Sequence, residues 1–246
     1  MSNANGKVAI VTGGSRGIGA AIAERLAGDG FTVVINYAGG AADAEALVGK
    51  IEKAGGRAVT AQADVSDPAA VVRMFDMADA AFGGVDVIVN NAGIMRLAAI
   101  AEADDALLDS QMAINLKGTF NTLREASRRL RNGGRIVNLS SSQTGLLSPS
   151  YGVYAATKAA VEAMTHVLSK ELRGRNITVN AVAPGPTATK LFLDGKTKEV
   201  IDHLTKLAPL ERLGQPTDVA AAVSFLAGPD GAWINGQVLR TNGGII

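Results

Sequence analysis

Lys7-Val8-Ala9-Ile10-Val11-Thr12-Gly13-Gly14-Ser15-Arg16-Gly17-Ile18-Gly19 decides the architecture of this chain. The run from Val8 to Val11 has the character of a short buried strand, and it passes without a linker into a glycine turn and a helix start. Backbone N–H groups at such a helix start attract anions, and glycine lets a pyrophosphate come close to the main chain. The spacing is Gly-x-x-x-Gly-x-Gly rather than the commoner Gly-x-Gly-x-x-Gly. Alone, such a segment is equally well a loop. The rest of the chain gives it meaning.

Working outward, further apolar runs mark strands near residues 31–36, 57–63, 85–90, 134–140, 177–183 and 237–240, besides the first at 7–12. Most are apolar throughout instead of alternating, and amphipathic stretches near 17–29, 40–54, 68–82, 103–131, 151–173 and 216–227 separate them. In the stretch after Tyr151, for example, Val161, Met164, Leu168 and Leu172 recur at spacings of three and four. Continuous apolar strands joined by helices indicate a parallel sheet covered on both faces, here a single-domain α/β doubly wound sheet of about seven strands over residues 1–246. No linker, fixed-period repeat or low-complexity tract interrupts the pattern. In such a sheet ligands bind beyond the carboxyl ends of the strands. The glycine loop, Asn90-Asn91-Ala92-Gly93, Ser141 and the segment from Pro184 to Thr189 all follow strand ends and should converge on one crevice.

Ser141 closes one strand, and Tyr154 and Lys158 open the next helix four residues apart, on one face. A free phenol titrates near pH 10, about three units too high for easy acid–base work at neutrality. An ammonium close by is expected to favour its ionised form. Of the three tyrosines, only Tyr154 has a lysine in this register. Ser140 and Ser142 flank Ser141, and strand alternation turns neighbours to opposite faces, so they compete less than their proximity suggests.

Composition excludes several other chemistries. The chain has 24 basic and 23 acidic residues, which gives no electrostatic ground for a nucleic-acid or anionic-membrane partner. With no cysteine and two histidines, His166 and His203, far apart in sequence, neither disulfides nor a recognisable zinc motif are expected. The N-terminus lacks a basic segment followed by an apolar core, and no apolar run reaches membrane-spanning length, so a cytoplasmic protein is expected.

The glycine turn, Asp64-Val65, Asn90 to Gly93, Asn115, Ser141 with Tyr154 and Lys158, Pro184-Gly185 and Asn242-Gly243-Gly244, in this order, resemble the short-chain dehydrogenase/reductase family over essentially the whole chain. The resemblance implies that Tyr154 is the proton donor to a carbonyl, or the base toward an alcohol, and that Ser141 hydrogen-bonds the same oxygen. It also implies that Lys158 lowers the tyrosine pKa and holds the nicotinamide ribose, and that Asn115 holds a water in a proton relay. Cofactor contacts implied in the same way are Gly13, Ser15, Arg16, Ile18, Asn36, Asp64, Val65, Asn91, Ala92, Gly93, Tyr154, Lys158, Pro184, Gly185 and Thr189, with no metal. At the end of the second strand, Asn36 stands where an acid would accept the ribose hydroxyls of NAD, and Arg16 offers a guanidinium for a 2′-phosphate. NADP(H) is therefore expected over NAD(H). Asp64 is expected near the adenine, or as a helix N-cap or turn acid before Ser66-Asp67-Pro68.

The substrate is expected to be a small carbonyl or alcohol. Met95, Arg96, residues 143–148, Tyr151 and a mobile lid at 189–207 would line its pocket. A 3-oxoacyl-acyl-carrier-protein reductase is the alternative, with Arg128, Arg129, Arg131, Arg173 and Arg175 as a landing surface for the acidic carrier. A dinucleotide sensor without catalysis is the reading of another class, and the complete set of Asn115, Ser141, Tyr154 and Lys158 argues against it. The family resemblance further implies a homotetramer.

Overall fold

In the computed structural model, which describes residues 6–246, the apolar runs become β1 (Val8–Val11), β2 (Thr32–Tyr37), β3 (Arg57–Gln62), β4 (Val87–Asn90), β5 (Arg135–Leu139), β6 (Thr178–Pro184) and β7 (Val238–Thr241). They form one sheet in the order β3-β2-β1-β4-β5-β6-β7, every adjacent pair parallel. Alternation along each strand explains why the runs are apolar throughout. Ala9, Val11, Val33, Ile35, Val87 and Val89 face one layer, packed by α1 (Gly17–Gly28), α2 (Ala41–Lys53) and α10 (Pro216–Ala227). Val8, Ile10, Val34 and Ile88 face the other, beneath α3 (Pro68–Phe82), α5 (Thr119–Arg129) and α7 (Gly152–Glu171). Each Val, Leu, Ile or Phe side chain so withdrawn from water contributes about 1.5–3 kcal/mol, and both layers need the same sheet. The single-domain, doubly wound sheet expected from the sequence is the fold observed. Among the described residues no helix is long and apolar enough to cross a membrane.

The helix expected over 103–131 is not one helix. Asp104 caps α4 (Asp105–Gln111) by accepting from Leu107 N, and the chain then widens into a π-helical segment, Met112–Gly118, before α5. Hydroxyls explain part of the break: Thr119 Oγ1 donates to the Asn115 carbonyl at 2.8 Å and Thr122 Oγ1 to the Thr119 carbonyl at 2.8 Å, competing with amides for those acceptors. Gly118 ends the widened turn against Val65, where an added Cβ would lie 2.6 Å from Val65 Cγ2. The segment thus presses Asn115 inward, toward the carboxyl end of β4. Short helices α6 (Gln143–Leu146), α8 (Lys190–Leu193) and α9 (Lys198–Leu207) complete the connections that follow β5 and β6.

The chain direction reverses its order at β1 and β4: β1 pairs with β2 on one side and with β4 on the other. That switch point opens the crevice beyond the strand ends.

Candidate active site

A cleft of about 650 Å³ runs from the glycine loop to α7, bounded by Gly13 to Gly19, Asn91 to Met95, Ser140 to Gln143, Tyr154, Lys158 and Pro184 to Phe192. Its nucleotide end is built on main chain. Gly13 and Gly17 take left-handed φ of 58° and 56°, and α1 starts at Arg16 with no side-chain cap, so its first amides are left for a ligand. Steric need fixes the glycines: a Cβ on Gly13 would lie 2.9 Å from Ala92 Cα, and one on Gly19 would lie 2.2 Å from the Gly13 carbonyl oxygen. Asn91 ties the two loops together by donating to the carbonyls of Thr12 and Gly13 at 3.0 and 2.9 Å. Uncapped amides, absent side chains and an extended cleft of this size suit a dinucleotide, with pyrophosphate at the start of α1.

Three of the residues expected to touch a cofactor line the cleft and also make hydrogen bonds within the chain. Asn36 is 1% exposed, and both its amide hydrogens are committed, to the carbonyls of Ala61 at 3.1 Å and Ala63 at 2.9 Å, while its oxygen accepts from Gly13 N. It is a clamp between the glycine loop and β3 and has no donor left for a phosphate. Tyr37, one residue further and the last of β2, lines the cleft together with exposed Ala38 and Gly39. Asp64 does not cap α3; Asp67 does, by accepting from Ala69 N. Asp64 instead closes a local turn by accepting from Ser66 N and Oγ at 2.9 and 2.8 Å, at the exposed edge of the cleft. Thr189 lies in the wall of the cleft but also caps α8, accepting from Phe192 N at 3.2 Å. Arg16 is exposed at the cleft and forms no ion pair with any described residue. Ser15, Ile18, Val65, Ala92, Gly93, Pro184 and Gly185 line the same cleft.

At the other end, Ser141, Tyr154 and Lys158 share one wall of the cleft, with Ser141 Oγ accepting from Gln143 N at 3.2 Å. Ser140 and Ser142 do not compete, because Ser140 Oγ donates to Glu162 and Ser142 Oγ to the Ala183 carbonyl. Lys158 is buried, with Nζ 2.7 Å from the Leu139 carbonyl and 5.9 Å from the centre of the Tyr154 ring. Burial governs the titration of both groups. Burial pushes Tyr154 up to about 12, against a downward pull from Ser141, and burial holds Lys158 down at about 8. Desolvation outweighs attraction because the ammonium is turned to a backbone carbonyl and not to the phenolic oxygen. The phenol of this structure is a neutral acid, ready to donate. Tyr151 meets it edge-on, ring centres 6.3 Å apart.

Asn115 is fully buried, and its side chain clips the Ile94 backbone at both ends, accepting from Ile94 N at 2.8 Å and donating to Ile94 O at 2.9 Å. Gln111 grips Arg96 in the same fashion, at 3.3 and 3.1 Å. The side-chain amide of Asn115 is therefore committed to shaping the loop after β4. Gly93 passes between it and Lys158, a Cβ there lying 3.2 Å from Asn115 Oδ1 and 3.6 Å from Lys158 Nζ. Sequence reasoning missed Thr12, whose hydroxyl accepts from Asn91 N and Ala92 N at 3.0 and 3.1 Å, and Gln111 and Ile94. Thr12 stands directly before the glycines, which was a usable signal; a glutamine inside a helix gave none.

The substrate end is apolar, walled by Ile94, Met95, Leu146, Tyr151, Leu191 and Phe192. Arg96 is exposed outside it, so its expected place in the pocket is not observed. The arginine surface proposed for a carrier protein is largely committed within the chain. Arg128 reaches Glu125 at 3.4 Å, Arg129 holds Asp76 at 2.7 Å and Asp79 at 2.5 Å, Arg131 holds Asp86 at 2.9 Å, and Arg175 donates to the carbonyls of Ser127 and Leu130.

Parallel sheet, glycine loop and serine–tyrosine–lysine cluster define a nucleotide-dependent oxidoreductase of the Rossmann type. A family model described as "Enoyl-(Acyl carrier protein) reductase" matches residues 13–246. The chain is 47% identical to an NADPH-dependent aldehyde reductase-like protein of Arabidopsis thaliana, covering 98% of this chain and 94% of that one. It is 45% identical to a short-chain type dehydrogenase/reductase of Picea abies, covering 97% and 92%. A short-chain dehydrogenase from Burkholderia cenocepacia, solved in complex with NADP, superposes with a TM-score of 0.93 at 41% identity, covering 98% of each chain. The chain belongs to the short-chain dehydrogenase/reductase family.

Proposed function

We propose that the protein is an NADP(H)-dependent oxidoreductase that interconverts a carbonyl compound and the corresponding alcohol, with Tyr154 as acid and base. The observation that carries this reading is the presence of Ser141, Tyr154 and Lys158 together in the wall of the same cleft whose far end is the glycine loop. Arg16 and the start of α1 would hold the phosphates, and Lys158 the nicotinamide ribose. When bound, the cofactor supplies or accepts the hydride. Ser141 orients the carbonyl oxygen, and the neutral Tyr154 phenol delivers the proton that cancels the negative charge growing there. Two hydroxyls aimed at one oxygen in a dry cleft stabilise the transition state more than the ground state. The NADP-bound relative and the NADPH-dependent name of the Arabidopsis relative support the choice of coenzyme, as does the unpaired Arg16.

The apolar wall suits an aliphatic or aromatic aldehyde or ketone, and α8 would form the cover over it, with Leu191 57% exposed at its edge. A carrier-linked substrate is disfavoured by the internal pairing of four of the five arginines. Exposed Phe120, Val167, Phe225 and Trp233 suit the faces of a homotetramer, which sedimentation tests. The deciding experiment follows NADPH absorbance with a panel of aldehydes, ketones, quinones and acetoacetyl-carrier protein, for the parent and for Tyr154→Phe. Turnover by the parent, abolished in the variant with NADPH affinity kept, is expected. Undiminished turnover by Tyr154→Phe refutes the assignment, and tight NADPH binding without turnover of any carbonyl by the parent indicates a sensor.

A further inference from the structure

We propose that Glu162 is a positioning residue that fixes the serine turn to the tyrosine helix, so that Ser141 and Tyr154 address one oxygen. This rests on the acid–base reading of Ser141 and Tyr154 above. The two hydroxyls belong to different elements: Ser141 lies just beyond β5, and Tyr154 lies in the first turn of α7. For both to reach one substrate oxygen their separation must hold to a few tenths of an ångström, so the spacing of turn and helix must be set by something stiff.

Two side chains of α7 reach across, one turn apart. Lys158 Nζ donates to the Leu139 carbonyl at 2.7 Å, and Glu162 Oε1 accepts from Ser140 Oγ at 2.5 Å and from Thr144 Oγ1 at 3.0 Å. Ser140 and Thr144 bracket Ser141, and Thr144 Oγ1 also lies 2.9 Å from the Ser141 carbonyl. The carboxylate thus holds the turn on both sides of the residue that matters. Spacing by four would allow Glu162 to pair with Lys158, yet no ion pair joins them among the described residues. Lys158 is also the group the cofactor ribose would claim. Glu162 is then the link whose hold on the turn does not change as cofactor comes and goes. Bonds to an ionised acceptor are the stronger kind, and a carboxylate offers enough lone pairs for both hydroxyls on one oxygen.

The test compares Glu162→Ala, Glu162→Gln and the pair Ser140→Ala/Thr144→Val by kcat and KM for the carbonyl of the panel that the parent reduces fastest, and by NADPH Kd from fluorescence titration. Glu162→Ala should lower kcat between about 10- and 100-fold, the range that misplacement of a reacting group by an ångström produces. KM and NADPH Kd should stay within about twofold, since the variant touches neither binding surface. Glu162→Gln, which keeps one acceptor oxygen, should recover most of the rate. Adding Ser140→Ala/Thr144→Val to Glu162→Ala should cost nothing further. Parent-like kcat in Glu162→Ala, or a loss shared equally by kcat, KM and NADPH Kd, overturns the proposal. If Glu162→Ala does not fold, the same criteria applied to Glu162→Gln and to the Ser140/Thr144 pair decide it. Tyr154→Phe, run alongside, isolates the premise: if it turns over normally, the acid–base reading itself has failed.

Discussion

Replacing Asn36 by aspartate separates two views of one residue. If Asn36 faced the adenosine ribose, Asn36→Asp would install the acid that accepts from the NAD ribose and repels a 2′-phosphate, and NADH would gain at the expense of NADPH. The structure demands another outcome. Both amide hydrogens of Asn36 satisfy buried carbonyls, at 3.1 and 2.9 Å, and an ionised aspartate would set a charge against those same two oxygens. Each stranded buried acceptor costs about 1–3 kcal/mol, so a loss on the order of 2–6 kcal/mol is expected for the two. For a chain of this length that lowers Tm by roughly 10 °C. Protonation would return one donor to the substituted side chain, so its folded pKa is raised. Stability is then retained below the unfolded pKa and lost as pH rises, and the deficit against the parent should shrink toward pH 4. Differential scanning fluorimetry over pH 4–8, with NADPH and NADH affinities from fluorescence titration, measures both. A variant that melts within about 2 °C of the parent and prefers NADH would refute the clamp.

Arg16→Ala should weaken NADPH binding at least about tenfold and leave NADH nearly unchanged, as expected for loss of a charge-assisted phosphate contact of about 1.5–3 kcal/mol; equal weakening of both coenzymes in titrations would remove Arg16 from the 2′-phosphate. Gly19→Ala must displace backbone, since its Cβ would stand 2.2 Å from the Gly13 carbonyl oxygen, and should cost about 1–3 kcal/mol together with most NADPH affinity; a variant with parent-like Tm and Kd contradicts this packing. The buried pair should also mark the pH dependence of stability. Between about 8 and 10.5, folded Lys158 releases its proton before the unfolded chain does, and stability rises with pH. Between 10.0 and about 12, Tyr154 ionises only when unfolded, and stability falls. Urea titrations of Lys158→Met and Tyr154→Phe should each lose one of these slopes, and identical slopes in parent and variants would show that the two groups are not buried as described.

The strands were legible because burial on both faces leaves one kind of residue in them. Val8 to Val11 needs apolar side chains above and below the sheet, and the sequence pattern records both demands at once. Helix ends with chemical caps were equally readable in principle: Asp67-Pro68 opens α3 and Gly83, at φ 73°, closes it. The π-helical turn at Met112–Gly118 was not readable, because the contacts that favour it lie elsewhere in the chain, at Val65 and Ile94. Periodicity reports which face is buried; it does not report an inserted residue that a distant loop requires.

A similar limit governs the site. Asn36, Asp64 and Asn115 stand at the positions expected to serve a ligand, yet in the structure their side chains hold the backbone of Gly13, Ser66 and Ile94. A polar residue beside a cleft has backbone amides nearer than any ligand, and burial makes leaving those amides unmet costly. Position along the chain therefore identifies which residues surround the cofactor space, and only the hydrogen-bond partners separate those that touch it from those that shape it. Tyr154 and Lys158 follow the same logic in electrostatic form. Their spacing places both groups in one cleft, but whether the lysine acidifies the phenol depends on where the ammonium points and how dry the pocket is. Here it points to Leu139, and dryness wins. The phenol waits as an acid, which is the form that reduction of a carbonyl requires.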